Sequence, residues 1–252
     1  MSQASKLLDA GLPEPDPYLY GERYVRVEHP DGSEAFDTVP LTLEDVLFPK
    51  VGDFIPNGVE HFDDLAYLRG VFECQLREDP SAKVLTRCGV DWNLPGVRPI
   101  CPDTVVFTGV RRRINWSVFD VAAEGARPEL VVEVTVPWTR QLDLGPKLDI
   151  YRRAKIPFYL IADNPRWEER RTLELIGYRY APRAYRRVAP DQRGRIELEA
   201  VRLSVGLISD RYGGYRRLRC YDLETGREYG DYTEEAERLA EAKRRGAGRR
   251  PR

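Results

Sequence analysis

The 252-residue sequence predicts an α/β (α+β) protein with a mixed central β-sheet flanked by helices and a β-rich C-terminal extension. Three observations lead there. The first is the run Leu130-Val131-Val132-Glu133-Val134-Thr135-Val136, strand-like in composition and length, with apolar residues on both sides of Glu133 as in a strand covered on both faces. The second is the helical pattern that separates this run from another apolar one, Phe158-Tyr159-Leu160-Ile161-Ala162. Strand, helix and strand in that order suggest a crossover within one mixed sheet. The third is the change of texture after Arg166 to short apolar runs punctuated by Gly, Pro and Asp.

Taken in order, residues 1–17 are polar, hold three prolines and are expected to be loosely ordered. Tyr24–Glu28 and Ala35–Val39 flank Pro30-Asp31-Gly32 and predict a hairpin closed by Pro40. Thr42 is an N-cap residue for a short helix, Leu43 to Phe48, with Glu44 and Asp45 in its first turn. Helical spacing of Phe62, Leu65, Ala66, Leu68, Phe72 and Leu76 predicts a longer helix from Val59 to Arg77, with His61 in its first turn. Strands are expected at 84–87, 104–108, 114–121 and 130–136, the last ended by Pro137. A helix capped by Asp143 should run from Leu144 to Lys155, with Pro146 tolerated in its first turn. After the strand at 158–162 come short strands at 172–180, 185–188, 195–200, 206–209 and 215–222, then a helix from Glu234 to Arg245. The domains read as a hairpin segment (1–40), a core (41–165), a β-rich extension of the same domain (166–230) and a C-terminal helix with a basic tail (231–252).

Composition narrows the function. A hydrophobic content of 42% with 32% charged residues indicates a globular protein, and a net charge of −1 carries no global nucleic-acid signature. Cys74, Cys88, Cys101 and Cys220 form no CxxC pair, and only two histidines accompany them, which argues against structural zinc and for free thiols. With neither a signal peptide nor an 18-residue apolar run, the chain is expected to be cytoplasmic and without membrane association. Six lysines against 34 arginines make a lysine at a site position more informative.

The chemistry centres on Glu133. A carboxylate within a doubly covered strand is costly unless paired or bound to a metal. Asp103, at the start of the 104–108 strand, could lie beside it and complete the oxygen ligands that Mg²⁺ favours, with the Val134 carbonyl as a third. Lys147, in the first turn of the following helix, could reach the same place to orient or deprotonate a water. Tyr151 would sit one turn on. Each residue alone has a plainer reading: Glu133 paired with a buried arginine, Asp103 a turn residue, Lys147 a solvated lysine, Asp143 an N-cap and not a ligand, Tyr151 core packing. His61 could touch phosphate or be structural. Arg140, in the loop leaving the Glu133 strand, is the better phosphate candidate, ahead of Arg111-Arg112-Arg113 and the tail arginines.

In their order and spacing, Pro102-Asp103-Thr-Val-Val, Pro128-Glu-Leu-Val-Val-Glu133-Val, Thr139-Arg140-x-x-Asp143-x-x-x-Lys147-x-x-x-Tyr151 and Pro157-Phe-Tyr159-x-Ile-x-Asp163 resemble the Uma family of restriction-endonuclease-like proteins, within the PD-(D/E)xK nuclease superfamily. The resemblance runs from about Leu41 to Ile208. It implies a restriction-endonuclease-like fold and Mg²⁺-dependent hydrolysis of DNA (Mn²⁺ as a substitute). Asp103 and Glu133 would be metal ligands and Lys147 the catalytic lysine. The superfamily lysine usually lies two residues after the strand acid; Thr135 stands there, and Lys147 fits a lysine relocated to the helix. The competing expectation is a nuclease-fold protein that binds nucleic acid or a protein partner without cutting. RNA stays open as a substrate, and a homodimer through the β-rich region is a third expectation.

Overall fold

The computed structural model describes residues 16–112, 114–165, 171–182, 184–209 and 215–247. The N-terminal stretch before residue 16, Arg113 of the arginine run, and Arg249, Arg250 and Arg252 of the tail lie outside the described residues. Two compact units are present: the chain up to Val46 with Lys50–Pro56, and Leu47–Pro49 with everything from Asn57 onward.

In the first unit, β1 (Glu22–Glu28) and β2 (Glu34–Pro40) pair antiparallel, Glu28 opposite Glu34. Gly32 at φ +80° makes the turn, and the Asp31 carboxylate accepts the Ser33 N–H at 2.9 Å. Arg23 forks onto Asp53 at 2.6 and 2.8 Å and reaches Asp45 at 3.0 Å. The Thr42 hydroxyl accepts the Asp45 N–H at 3.2 Å and caps α1 (Leu43–Leu47).

The second unit is built on a six-stranded mixed sheet. Its strands are β3 (Lys83–Thr86), β5 (Thr104–Thr108), β7 (Arg127–Val134), β8 (Phe158–Asp163), β9 (Glu174–Ala181) and β10 (Ala184–Val188), in the order β10-β9-β8-β7-β5-β3. Only β7 and β8 are parallel among these neighbours; they flank the helices α4 (Arg140–Leu144) and α5 (Pro146–Arg153) in sequence, the strand–helix–strand order that the sequence predicts. β4 (Gly89–Asp91) and β6 (Val118–Asp120) form a small parallel pair. β11 (Ile196–Leu198), β12 (Leu203–Ser209) and β13 (Arg216–Asp222) form an antiparallel sheet.

Alternation along β7 sends its residues to two different layers. Leu130, Val132 and Val134 enter the core with Leu65, Leu68, Val71 and Phe72 of α2 (Val59–Gln75) and with Ile196, Leu203, Val205 and Leu218 of the three-stranded sheet. These apolar side chains of the three-stranded sheet are thus buried within the chain itself. Glu133 points to the opposite layer, where Tyr151 of α5 meets Tyr159 of β8 at 4.9 Å between ring centroids and Trp92 at 5.7 Å. α6 (Tyr232–Ala247) closes the described chain. Among the described residues, no helix is long and apolar enough to cross a membrane.

Several elements depart from expectation: β4 lies outside the expected strands, and β7 runs from Arg127 to Val134, ending before Pro137. The strand expected over 114–121 shortens to β6; at its end the Asp120 carboxylate accepts the Ala123 N–H at 2.9 Å and starts α3 (Val121–Glu124). The ladder between β5 and β7 shifts at Val106/Phe107, next to Pro128, which has no N–H to donate. The helix expected over 144–155 begins earlier and breaks at Gly145 (φ −125°, ψ −96°), ahead of Pro146. Asp143 therefore caps nothing; it lies in α4, one residue from its end.

Candidate active site

The antiparallel register that pairs Thr104 with Val132 carries Asp103 alongside Glu133, where the two strands exchange side chain for backbone. The Asp103 N–H donates to Glu133 Oε2 at 3.2 Å, and the Val134 N–H donates to Asp103 Oδ2 at 2.9 Å. Pro102, one step further, brings no N–H to bond the Val134 carbonyl. From the helical side, the Tyr151 hydroxyl donates to Glu133 Oε1 at 2.5 Å. Lys147 Nζ stands 3.1 Å from Glu133 Oε1 and 2.8 Å from Asp143 Oδ1. The break at Gly145 leaves Asp143 and Lys147 four residues apart and still in contact. The structure thus brings Asp103, Glu133, Lys147 and Tyr151 together, and adds Asp143, which the sequence reading set aside as a cap.

The electrostatics are those of too much negative charge for one lysine. Asp103, Glu133 and Asp143 are all buried, Glu133 with no exposed surface. Burial is the largest influence on Glu133 and pushes it up to about 7, with Lys147 opposing and the Asp103 charge adding. Asp143 is raised to about 7 by burial and the Glu133 charge against the pull of Lys147. Asp103 is raised by burial, opposed by Lys147 and Arg87. Burial pulls Lys147 down, but the three carboxylates outweigh it and hold the ammonium protonated.

Two residues beside Asp103 come from distant parts of the chain. Arg87, in the left-handed region (φ 52°) just after β3, has its guanidinium 3.7 Å from Asp103 Oδ1 and is partly exposed. No motif marks Arg87 in the sequence, since only the β3–β5 register makes it a neighbour of Asp103. His61 Nε2 lies 3.3 Å from Asp103 Oδ1, at an angle that makes no hydrogen bond. Burial lowers His61 to about 4, with Arg87 and Arg171 adding, so the ring is neutral near pH 7.

Arg140 is placed otherwise than its phosphate candidacy supposed. Its guanidinium forks onto Asp163 at 2.6 and 2.7 Å, and the same carboxylate accepts the Thr135 hydroxyl at 3.1 Å. Thr135 Oγ1 in turn accepts the Asn164 N–H at 2.7 Å. Thr135 is thus part of a clamp joining the ends of β7 and β8. Arg140→Ala is expected to cost about 1–3 kcal/mol, less than breaking a fully buried pair because Arg140 is 35% exposed. It should leave the salt slope of any DNA binding unchanged. Urea denaturation and fluorescence anisotropy measure the two; a flattened salt slope would return Arg140 to the phosphate candidates.

The donor set suits a hard divalent cation in charge and chemistry: two buried carboxylates from neighbouring strands, in a cluster with more acids than nearby cations. Among the described residues, no three His, Cys, Asp or Glu side chains gather as a ready ligand group, so carbonyl, water and substrate oxygens would have to complete the shell. Such a shell is usual for Mg²⁺.

Comparison with known proteins bears on the same segment. The sequence model of the Uma2 family, described as "Putative restriction endonuclease", matches residues 53–206. The chain belongs to the Uma2 family. The Uma2 match takes in every residue of the cluster, from His61 to Asp163. Among solved structures, a protein from Anabaena variabilis titled as a putative nuclease belonging to DUF820 is 14% identical, with 80% of this chain and 91% of that chain covered and a TM-score of 0.42. No curated protein matches.

Proposed function

We propose that this Uma2 chain is a metal-dependent endonuclease that hydrolyses DNA phosphodiester bonds at the Asp103–Glu133–Lys147 cluster. The observation that carries the reading is the clustering of these three residues, from the start of β5, from β7 and from α5, in one buried place with excess negative charge. Asp103, Glu133 and the Val134 carbonyl would hold Mg²⁺ or Mn²⁺, which when bound supplies charge to the phosphate and acidity to a water. Lys147 is an ammonium held by two carboxylates, so it steadies charge developing on the phosphate and does not act as the base. A carboxylate near pKa 7, such as Asp143, is suited to accept the proton of the attacking water. Tyr151 fixes Glu133 Oε1 toward α5 and leaves Oε2 on the Asp103 side.

A second reading is favoured by the closure of the site: Lys147 is only 9% exposed and already paired twice. On that reading the chain binds nucleic acid, or a protein partner, without cutting. Purified protein incubated with supercoiled DNA in Mg²⁺ or Mn²⁺ separates the two. The enzyme reading expects nicking that falls by about 10³-fold or more in Asp103→Asn. Salt-dependent DNA binding with no turnover in either metal would establish the second reading instead. An RNA substrate in parallel reports on sugar preference.

A further inference from the structure

His61 is a buried group that the mechanism above does not use. It lies in the first turn of α2 and is only 4% exposed. Neither Nδ1 nor Nε2 has a hydrogen-bond partner among the described residues. Buried polar atoms are as a rule bonded, so two orphaned nitrogens on one ring call for an explanation. The orphaned Nε2 faces the cluster at 3.3 Å from Asp103 Oδ1. Of the two Asp103 oxygens, Oδ2 is bonded to the Val134 N–H, whereas Oδ1 is the one turned to His61 and Arg87.

The ring's position is well supported. One turn along α2, Asp64 accepts Arg171 at 2.6 Å and the Leu218 N–H at 3.3 Å, tying the helix to β13. Phe62 meets the imidazole edge-on at 5.9 Å. An imidazole nitrogen and a carboxylate oxygen held 3.3 Å apart without a hydrogen bond between them have the spacing of two ligands on one ion. Two ligands about 2.1 Å from one octahedral ion lie roughly 3 Å apart across a right angle, close to the 3.3 Å observed.

Resting on the divalent-cation reading above, we propose that His61 is a ligand of that cation beside Asp103, and that the site therefore prefers Mn²⁺ to Mg²⁺. Mg²⁺ takes oxygen ligands and gives up its waters reluctantly. Mn²⁺, the first of the divalent transition-metal series, accepts an imidazole nitrogen more readily than Mg²⁺ does. His61 comes from α2 and Asp103 from the residue just before β5, so the ion would also fasten the helix to the sheet.

The test uses the full chain, stripped of metal and without DNA, and reads binding by electron paramagnetic resonance during MnCl₂ titration. Pulsed measurements on protein with ¹⁵N-labelled histidine should detect a directly coordinated histidine nitrogen. The sequence holds only His29 and His61, so His29→Ala should keep that coupling and His61→Ala should abolish it. His61→Ala should weaken Mn²⁺ by about tenfold or more and Mg²⁺, followed by competition, far less. The wild-type coupling needs no variant, so a misfolded His61→Ala would not blunt the test. Mn²⁺ bound in an Asp103-dependent way without histidine coupling would overturn the proposal and leave the nuclease reading standing. Binding of neither metal would also overturn it. Coupling in a protein that never cuts DNA would support the ligand role while removing the nuclease reading.

Discussion

Lys147→Met is expected to lower stability by about 3–5 kcal/mol at roughly pH 8 and to cut any DNA cleavage by about 10²–10⁴-fold. Methionine matches the length of the stem but leaves Glu133 and Asp143 without the cation at 3.1 and 2.8 Å. Both acids, with Asp103, would then have to protonate or remain as unpaired buried charges, and the second course is the expensive one. The sign follows from linkage. Glu133 and Asp143 have folded values raised to about 7 from 4.5 and 3.8. Their contribution to stability is therefore fully present below the unfolded values and is lost as pH rises through about 7. Removing Lys147 raises the folded values further, so the variant's stability should fall more steeply than the wild type's between about pH 5 and pH 8. Chemical denaturation across that range measures it. Parallel pH profiles for the two proteins would mean that Lys147 does not hold these carboxylates.

Much of this arrangement could be read from residue order, and the parts that could not have physical causes. The β7 run announces a strand buried on both faces because its residues are apolar on both parities, and Glu133 stands out against that background. The crossover to β8 follows from two buried-looking runs separated by a helical pattern. The Asp103–Glu133 juxtaposition was a conditional inference, since it depends on β5 being the antiparallel neighbour of β7, a register that no local pattern encodes. Asp143 reads as a cap in the sequence because an aspartate before a helical run is most often one. The Gly145–Pro146 break, itself a visible signal, moved the helix start and released that carboxylate to Lys147. Arg140 was judged by its loop, but Asp163 at the end of the neighbouring strand captures its guanidinium. Arg87 needed both a pairing register and a left-handed backbone to reach the site, and neither is written in its neighbours.

The same burial that makes the cluster legible also sets its energetics. The Asp103 and Glu133 carboxylates are supported by hydrogen bonds from the Val134 N–H, the Asp103 N–H and the Tyr151 hydroxyl, yet none of these donors carries a full positive charge. Lys147 and, at the edge, Arg87 supply the positive charge close to the three acids. A fold that only needed to be stable would have no use for a third buried acid. Retaining it is the pattern expected of a site whose charge is completed from outside, at a standing cost in stability.

Glu133→Gln should expose that cost directly, by removing cleavage while stabilising the metal-free protein above about pH 7 by about 1 kcal/mol. The amide keeps the volume, and its oxygen can still accept from the Tyr151 hydroxyl. The loss is on the other side, where the Asp103 N–H would face an amide nitrogen in place of Oε2, at about 1 kcal/mol. The gain is larger at high pH, because an ionised acid with a folded value near 7 no longer has to be kept in the core. Lys147 stays paired with Asp143 in the variant. Below about pH 4.5 the wild-type acid is protonated in both folded and unfolded states, the gain disappears, and the variant should be the less stable of the two. The two stability curves should therefore cross. A purely structural ion pair between Glu133 and Lys147 requires the opposite: a loss of about 3–5 kcal/mol at pH 8 with no crossing. Urea denaturation at several pH values, run beside the DNA-nicking assay on the same preparation, decides between them. A variant that is both inactive and more stable at neutral pH would mark Glu133 as an acid retained for chemistry.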